Sequence, residues 1–342
     1  MTFFGRVEMF APLEKLGTKS KGYICLALVD AIWIASGYLT QVIYTKYKYS
    51  NSIAMAVYSV ILGLILLVPL CWRKVSRDSM PTILQVASLG ALWLLGQLTY
   101  LFALMFSSMS TCTAISGTAT VFSYLFSIVI LRYKFRWLSA IGVALCLAGI
   151  TLTALFKAEA VQSSAEESGV ISETATGIVI GIVGAVNSGL FTCLFKKWVL
   201  DDSNSGIVFG CFGFIGIIVG IPIVVISHYA GLQAFEVPEW NTALLIVADA
   251  LLCSVVCNFF FSKTFVYLTP VIVQVGLNMT IPISFVITAL ILGSHTYPTQ
   301  SIVGVVLIFL AAVLVSYDQA KYEQELSAQR THVVKDSSTL EC

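Results

Sequence analysis

Charged residues are scarce in this sequence. Only 11% of its 342 residues are Asp, Glu, Lys or Arg, whereas a soluble domain carries about a quarter. Hydrophobic residues make up 58% of the chain, and the mean hydropathy is +0.91. A chain of this composition has too few charges to cover a water-exposed surface, so we predict an all-α integral membrane protein that contacts the lipid bilayer.

Other absences exclude whole functional classes. The net charge of +1 and the lack of a long basic run argue against nucleic acid as a partner. The three histidines form no metal-binding pattern, and neither a phosphate-binding loop nor a GxSxG motif is present. Nine cysteines, an odd number without a CxxC pair, lie mostly in apolar runs and are interpreted as packing residues. We therefore expect no enzyme, no cofactor, no metal and no ATP-driven pump.

Ten apolar runs are long enough to cross a bilayer. The predicted spans cover residues 22–44, 51–72, 82–105, 109–131, 137–156, 175–197, 205–228, 240–263, 269–292 and 299–317. The longest connection, 157–174, separates a first half, 22–156, from a second half, 175–317, with five spans in each. Because five is odd, the second half enters the membrane from the opposite side, which predicts a five-plus-five inverted-topology repeat.

Spans 4 and 9 carry a weak signal of that repeat. When Gly117 is aligned with Gly276, both runs have a polar start, and Phe126 then coincides with Phe285. After a three-residue offset, a glycine of span 5 also matches one of span 10. These matches favour two related halves, the architecture of many secondary transporters.

The distribution of positive charge predicts the orientation. Sixteen of the 19 Lys and Arg residues fall on the side of the N-terminus, so both termini are predicted to face the cytosol. The N-terminal segment, 1–21, and the tail, 318–342, are then cytosolic, and 157–174 is not. We expect the polar tail to be disordered beyond a short helical continuation.

Glycines recur at three- and four-residue steps along span 7. Gly206, Gly210, Gly213, Gly216 and Gly220 form a smooth strip, which allows another helix backbone to approach closely. The strip is interpreted first as a packing surface. Two further interpretations stay open, a sliding surface between the halves and a contact in a homodimer.

The most polar span is the ninth, within LTPVIVQVGLNMTIP at 268–282. Two prolines interrupt it, and Gln274 and Asn278 lie four residues apart on one helix face. A polar face on a spanning helix indicates a bundle interior or a water-filled path. Hydrogen bonding between helices, with no solute nearby, is the alternative.

Charged side chains within the spans are the next candidates for a solute site. Asp30 in span 1 and Asp249 in span 8 are costly in a bilayer unless they pair, take up a proton or bind a cation. Lys263 closes span 8, where it either snorkels to the interface or guards an anionic substrate.

Further candidates are hydroxyl, amide and aromatic side chains on spans 1, 3, 4 and 8. Such groups fit a cavity that holds a polar or planar solute, and they fit a packed core equally well. These candidates are Trp33, Thr40, Trp93, Gln97, Tyr100, Thr113, Ser116, Thr120 and Asn258.

Three stretches resemble a known family. DAIWIASGYLTQVIY at 30–44, FGCFGFIG at 209–216 and the stretch 268–282 resemble the first, seventh and ninth spans of F5-like members of solute carrier family 35, in the EamA-type drug/metabolite transporter superfamily. The resemblance implies ten helices in two inverted halves around a central cavity. It also implies an endomembrane carrier (vacuole, lysosome or Golgi) or a plasma-membrane carrier. Members of this subgroup often have an acidic residue where this chain has Tyr38 and another near Asn258.

The predicted function is secondary transport of a small polar solute, such as a vitamin, a nucleobase or a related metabolite, by alternating access. A nucleotide-sugar antiporter is one alternative, and it would depend on Lys263. A membrane scaffold or receptor that transports nothing is the other.

Overall fold

A computed structural model describes residues 17–47, 49, 52–72, 75–76, 78–106, 109–162, 175–231, 235, 237–292 and 299–340. Most of the predicted N-terminal segment 1–21, and residues 163–174 of the predicted 157–174 loop, lie outside this range. All regular secondary structure in the described residues is helical.

Fourteen α-helices and two π-helical segments follow one another in the described residues. The first seven helices are α1 (Thr18–Lys46), α2 (Ser52–Cys71), α3 (Ile83–Phe106), α4 (Met109–Gly117), α5 (Ala119–Ile130), α6 (Trp137–Gln162) and α7 (Ala175–Trp198). The remainder are α8 (Asp202–Ile215), π1 (Gly216–Gly220), α9 (Ile221–Tyr229), α10 (Trp240–Ala250), π2 (Leu251–Cys257), α11 (Asn258–Tyr267), α12 (Pro270–Leu277), α13 (Thr280–Leu292) and α14 (Thr299–Leu340).

Seven helical stretches of the described chain are long and apolar enough to cross a membrane. They are Lys19–Thr40, Ile53–Cys71, Ile83–Tyr100, Thr176–Trp198, Asp202–Tyr229, Trp240–Tyr267 and Thr299–Tyr322. Three shorter apolar helical stretches, Ala114–Ile130, Trp137–Thr153 and Pro270–Ser284, coincide with the predicted spans 4, 5 and 9. An all-helical membrane fold is therefore confirmed, whereas the count of ten spans and the inverted repeat stay predictions.

The chain divides into two compact units, and each draws on both predicted halves. Unit 1 comprises Met1–Leu94 and Leu194–Leu268, and unit 2 comprises Leu95–Cys193 and Thr269–Cys342. The division of the chain into halves at 157–174 stays a prediction.

Aromatic rings fill the interior of unit 1. Their centroids lie between 4.5 and 6.4 Å apart, mostly in tilted or edge-on arrangements that favour ring packing. The rings belong to Trp33, Trp93, Phe195, Phe209, Phe212, Phe261 and Phe265. The group brings α1, α3, α7, α8 and α11 together.

Unit 2 is built instead on the close approach of two helix backbones, α6 and α14. A Cβ added at Gly149 would stand 2.6 Å from the carbonyl oxygen of Gly304, and one added at Gly142 would stand 2.6 Å from Val315. Glycine is therefore required at this crossing because any side chain would force the two helices apart.

Two proline residues explain where long helices lose regular α geometry. Pro222 has no N–H and cannot donate the helical hydrogen bond to the carbonyl of Ile218, four residues before it. The wider π1 segment, Gly216–Gly220, contains Ile218. Pro282 likewise cannot bond the carbonyl of Asn278, and the turn between α12 and α13 falls at Asn278 and Met279.

Two predictions about segment ends were wrong. The tail is helical as far as Leu340, where we expected disorder after a short continuation. It has neither Pro nor Gly after Gly304 and is rich in Gln, Glu, Lys and Ala, which favour helix. Helix α6 likewise continues to Gln162, past the predicted start of the loop at 157.

The glycine strip of span 7 packs within its own unit. A Cβ at Gly206, Gly210, Gly216 or Gly220 would stand 2.7 to 3.0 Å from side chains of α2. The packing interpretation is confirmed. Contacts with α2 at these four glycines do not support a homodimer contact through the strip, which stays a prediction.

Candidate functional site

The two broken helices of unit 2 meet at their breaks. Helices α4 and α5 are separated by a turn at Thr118, and α12 and α13 by the turn at Asn278–Met279. Asn278 Nδ2 donates hydrogen bonds to Thr120 Oγ1 at 2.9 Å and to Cys146 Sγ at 3.4 Å. Of the predicted site residues, Asn278 and Thr120 are thus brought into direct contact.

Local chemistry explains the break in the first of these helices. The Thr118 hydroxyl donates to the carbonyl of Ile115 at 2.5 Å, and the Thr118 N–H donates to the same oxygen at 2.9 Å. Both bonds compete with the regular helical ladder. A Cβ at Gly117 would stand 2.5 Å from Ile150, so the chain passes close to α6 here.

Gln274 extends the polar contacts by one turn. Its amide Nε2 donates to Ser188 Oγ of α7 at 3.2 Å, and only 7% of the residue is exposed. A second hydroxyl contact joins α7 to α5, where the Ser123 and Thr192 oxygens lie 3.2 Å apart. Analysis of the sequence missed Ser188, Cys146 and Thr192, because single small residues in apolar runs carry no periodic signal.

The other predicted residues of unit 2 are more exposed. Gln97 is half-buried on α3, while Tyr100 and Ser116 are exposed. The side chain of Thr113 lies outside the described part of the structure. A role for these four residues in binding a solute stays a prediction.

Unit 1 holds both intramembrane carboxyl groups. Asp249 Oδ1 accepts a hydrogen bond from Ser36 Oγ at 2.6 Å, which joins α10 to α1. Asp30 is only 3% exposed, and its Oδ1 has no hydrogen-bond partner in the described residues. Ser36 was not among the predicted residues, since a lone serine on an apolar helix gives no signal.

Aromatic contacts account for the two predicted tryptophans. The Trp33 ring lies 5.5 Å from that of Phe261, and Trp93 lies 5.2 Å from Phe209. Both rings therefore belong to the packed group of unit 1, which is the alternative interpretation raised for them. A role for either ring in binding a solute stays a prediction.

Lys263 is paired within unit 1. Its Nζ lies 2.7 Å from Asp202 Oδ1, donates to the Asp202 carbonyl, and lies 5.4 Å from the centre of the Phe259 ring. Asn258 begins α11 directly after π2 and is half-buried, as is Thr40 on α1.

Near the ends of two apolar stretches, a polar cluster joins the loop before α6, and the start of α6, to α14 in unit 2. Arg136 Nε donates to Asp318 Oδ1 at 2.8 Å, and Arg136 Nη1 donates to Glu325 at 2.8 Å. Ser139 donates to the other Asp318 oxygen through both its hydroxyl and its N–H. Burial alone would lower the pKa of Arg136, but the bonds to Glu325 and Asp318 raise it. We did not predict this cluster, whose partners are about 180 residues apart.

A carboxyl group with a perturbed pKa lies at the start of α8. The N–H of Ser203 and then the hydroxyl of Ser79 donate to Asp201 and hold the pKa of that carboxyl below its usual range. The residue is the N-cap of the helix, where an ionised oxygen accepts an otherwise unpaired donor.

Sequence comparisons agree with the helical membrane fold. Residues 20–155 match the EamA-like transporter family. The chain is 22% identical over 252 residues, 72% of its length, to the thiamine-repressible mitochondrial transport protein THI74 of Saccharomyces cerevisiae. It is 23% identical over 59% of its length to a vacuolar membrane protein of the same yeast, and 23% identical over 57% to solute carrier family 35 member F5 of Mus musculus. These matches span 66%, 53% and 36% of the relatives' own lengths.

A solved crystal structure supports the fold. It superposes with a TM-score of 0.65 over 89% of this chain and 99% of its own, at 14% identity. At that identity the likeness concerns the fold alone.

The apolar helices and the relatives together define the class, a multi-pass membrane protein with transporter relatives. Within that class, the matches support the drug/metabolite transporter superfamily, in its solute carrier 35 F-like branch. The resemblance of the three stretches in spans 1, 7 and 9 is thereby confirmed. The relatives are named transporters and not enzymes, which is consistent with the expectation that the chain catalyses no reaction.

Proposed function

We propose that this chain is a secondary transporter that moves a small polar solute by alternating access. Its ten spans would form two inverted five-helix halves, 22–156 and 175–317. The solute class would be vitamin-like, nucleobase-like or a related metabolite.

The observation that carries this proposal is the hydrogen bond from Asn278 to Thr120, which joins two broken helices at their breaks. Broken helices leave backbone groups without their usual partners. At membrane depth this is tolerated only inside protein or beside a water-filled cavity. Substrate sites of many secondary transporters are built from such discontinuous helices.

The side chains at the crossing have the chemistry to bind a neutral polar solute. The amides of Asn278 and Gln274 can each donate and accept hydrogen bonds, and Thr120 and Ser188 add hydroxyls. Such groups match the edges of nucleobase-like rings. Because one yeast relative is named a thiamine-repressible transport protein, thiamine belongs in the first panel of solutes.

The nucleotide-sugar alternative gains less support from the described residues. A diphosphate needs a cation, and the principal candidate, Lys263, already contacts Asp202 at 2.7 Å. We therefore do not extend the proposal to nucleotide sugars, although they remain a necessary arm of the screen.

We further propose an endomembrane or plasma-membrane location with both termini in the cytosol. The bias of Lys and Arg toward the side of the N-terminus supports this orientation. A vacuolar membrane protein among the relatives supports an endomembrane site. Labelling of engineered cysteines from each side of the membrane would test the orientation directly.

A thermal-shift screen of the purified protein, followed by flux into liposomes, tests the function. The panel contains thiamine, nucleobases, amino acids and nucleotide sugars, because a ligand that binds the folded state raises its stability. We expect Asn278→Ala to weaken binding of the solute about three- to tenfold, the range of one neutral hydrogen bond. Ser284→Ala, on α13 just after the turn that contains Asn278, is the matched control and should leave binding unchanged.

Two results would contradict the proposal. If no member of a broad panel stabilises the protein or shows saturable flux, a scaffold or receptor becomes the better interpretation. If a solute is transported but Asn278→Ala and Ser284→Ala behave alike, transport stands and the crossing is not its site.

A further inference from the structure

Unit 1 contains a continuous line of buried polar side chains where α1 packs against α10, π2 and α11. We call this line the α1 seam, and it consists of Asp249, Ser36, Cys253, Cys257 and Asp30. Four of the five residues are less than a tenth exposed, and Cys253 is half-buried. The seam runs through helices that are otherwise apolar, where each polar group is costly to bury.

One hydrogen bond joins the two ends of the helix pair in the seam, because the Ser36 hydroxyl of α1 donates to Asp249 of α10 at 2.6 Å. Cys253 and Cys257 follow on π2, four residues apart. Cys257 is fully buried and lies within electrostatic range of Asp30.

Asp30 is the member of the seam that has a buried oxygen without a hydrogen-bond partner in the described residues. Its Oδ1 has no partner, and none of the described ion pairs involves it. An ionised carboxyl without a partner at this burial is strongly disfavoured, so the group must take up a proton or hold a cation.

The helices packed against α1 along the seam set no unpaired cation against Asp30 in the described residues. Helices α10 and π2 contribute another acid and two thiols, and the only cation that α11 carries, Lys263, is paired with Asp202. The lysines of α1 lie at its two ends, nine or more residues from Asp30. The titratable and charged groups on these elements are Lys19, Lys21, Tyr23, Cys25, Tyr38, Tyr44 and Lys46 on α1, Tyr58 and Cys71 on α2, Asp249 on α10, Cys253 and Cys257 on π2, and Lys263 and Tyr267 on α11.

We propose that the α1 seam is a proton-binding site, with Asp30 as the carboxyl that takes up the proton and Asp249 as the second carboxyl. The site couples the transport proposed above to a proton gradient, and in that respect it rests on the proposed function. One proton from water on one side converts the Asp30 carboxylate to the neutral acid, and the same proton later leaves to the other side. No electron moves and no other bond changes.

The packing of the seam favours a proton over an organic cation. Ser36 and Asp249 contact each other directly, and Asp30 and Cys257 are also less than a tenth exposed, so the seam is closely packed. A proton needs no space, whereas an organic cation would have to separate α1 from π2. A π-helical segment at this place also agrees with the frequent occurrence of such segments at functional sites.

Infrared difference spectroscopy on the full-length protein tests proton binding without any solute. Between about pH 5 and about pH 8, a carbonyl band of a protonated carboxylic acid should appear and disappear. Asp30→Asn should remove the main band, and Asp30→Glu should restore it at a shifted position. Asp78→Asn, which changes an exposed carboxyl outside the helices, should leave the band unchanged.

A second measurement links the seam to transport and separates the two proposals. With a solute found in the screen, a gradient of one pH unit should change accumulation in liposomes by up to about tenfold for one coupled proton. Asp30→Asn should lose this dependence on the pH gradient. If Asp30→Asn does not fold, Ser36→Ala provides a milder change. This variant is expected to shift the carbonyl band that belongs to Asp249.

Different results would overturn different claims. If the wild-type protein shows no titrating carboxylic-acid band, or if Asp30→Asn leaves the band intact, the seam does not bind the proton. Flux that ignores the pH gradient also overturns the coupling while leaving transport in place. Absence of flux for every solute, with the band present and lost in Asp30→Asn, would overturn the transport function and support the proton site.

Discussion

The cluster around Asp318 in unit 2 leads to a quantitative prediction. Asp318 is 3% exposed and accepts from Arg136, which is 19% exposed, and from Ser139. Glu325 contacts the same guanidinium at the same distance, 2.8 Å, but is 50% exposed. The two acids therefore differ in burial more than in geometry, which makes Asp318→Asn and Glu325→Gln a matched pair.

Burial decides the expected magnitudes. Removal of one partner from a buried ion pair costs about 3–5 kcal/mol, because the remaining charge stays poorly solvated. Arg136 is partly exposed and retains Glu325, so we expect Asp318→Asn to lower the free energy of unfolding by ~3 kcal/mol. An exposed ion pair contributes about 0–1 kcal/mol, so Glu325→Gln should cost less than ~1 kcal/mol.

The assay is denaturant-induced unfolding of the purified protein in mixed micelles, followed by helical signal. A double-mutant cycle with Arg136→Met isolates the coupling, since the effect of Asp318→Asn should shrink when the guanidinium is already absent. Equal losses for Asp318→Asn and Glu325→Gln, or no coupling with Arg136→Met, would refute the reasoning from burial.

Two further predictions concern other parts of the fold. Gly149→Val should destabilise unit 2 by about 1–3 kcal/mol or more, because a Cβ there would stand 2.6 Å from the Gly304 carbonyl oxygen. Gly37→Ala serves as the control, because a Cβ at Gly37 meets nothing within 4 Å. Equal thermal unfolding of the two variants would contradict the close approach of α6 and α14. The lowered pKa of Asp201 means that its contribution to stability is present above the unfolded pKa of about 4 and is lost as the pH falls through the folded value. Acid titration of unfolding should therefore show a smaller loss in Asp201→Asn than in the wild type, and identical titrations would exclude the N-cap bonds to Ser203 as a source of acid sensitivity.

Most of the helices could be predicted from the sequence because hydrophobicity alone determines which segments enter a bilayer. The predicted span 82–105 corresponds to the helix Ile83–Phe106, and the predicted span 175–197 corresponds to the helix Ala175–Trp198. The ends at 157 and in the tail could not be predicted in the same way. There, hydropathy falls while helix propensity stays high, and propensity kept α6 and α14 helical.

Some of the polar contacts at the candidate site involve residues that the sequence indicated, but their pairings could not be predicted. The four-residue spacing of Gln274 and Asn278 indicated a shared polar face, and both side chains do make polar contacts. Their partners, Ser188 and Thr120, lie 86 and 158 residues away, and only the tertiary fold brings them there. For the same reason, nothing in the sequence around Asp318 indicated Arg136.

The two breaks that meet in unit 2 arise from different local chemistry. Pro282 cannot donate to the carbonyl of Asn278, and this interrupts the second helix. The first has no proline, and its break depends on the bonds from Thr118 to the Ile115 carbonyl. Yet each break lies one to three residues after the glycine at which the two spans align, Gly117 in one and Gly276 in the other.

Packing alone requires neither break, since the α6–α14 pair packs more closely with both helices continuous. If the breaks served only to fit neighbouring helices, they would have no reason to fall at corresponding positions or to contact each other. A shared role for the interruption explains both facts, because backbone groups released from two helices at one place can be offered to water or to a solute. We therefore infer that the breaks themselves, and not only the side chains of Asn278 and Thr120, are part of the transport path.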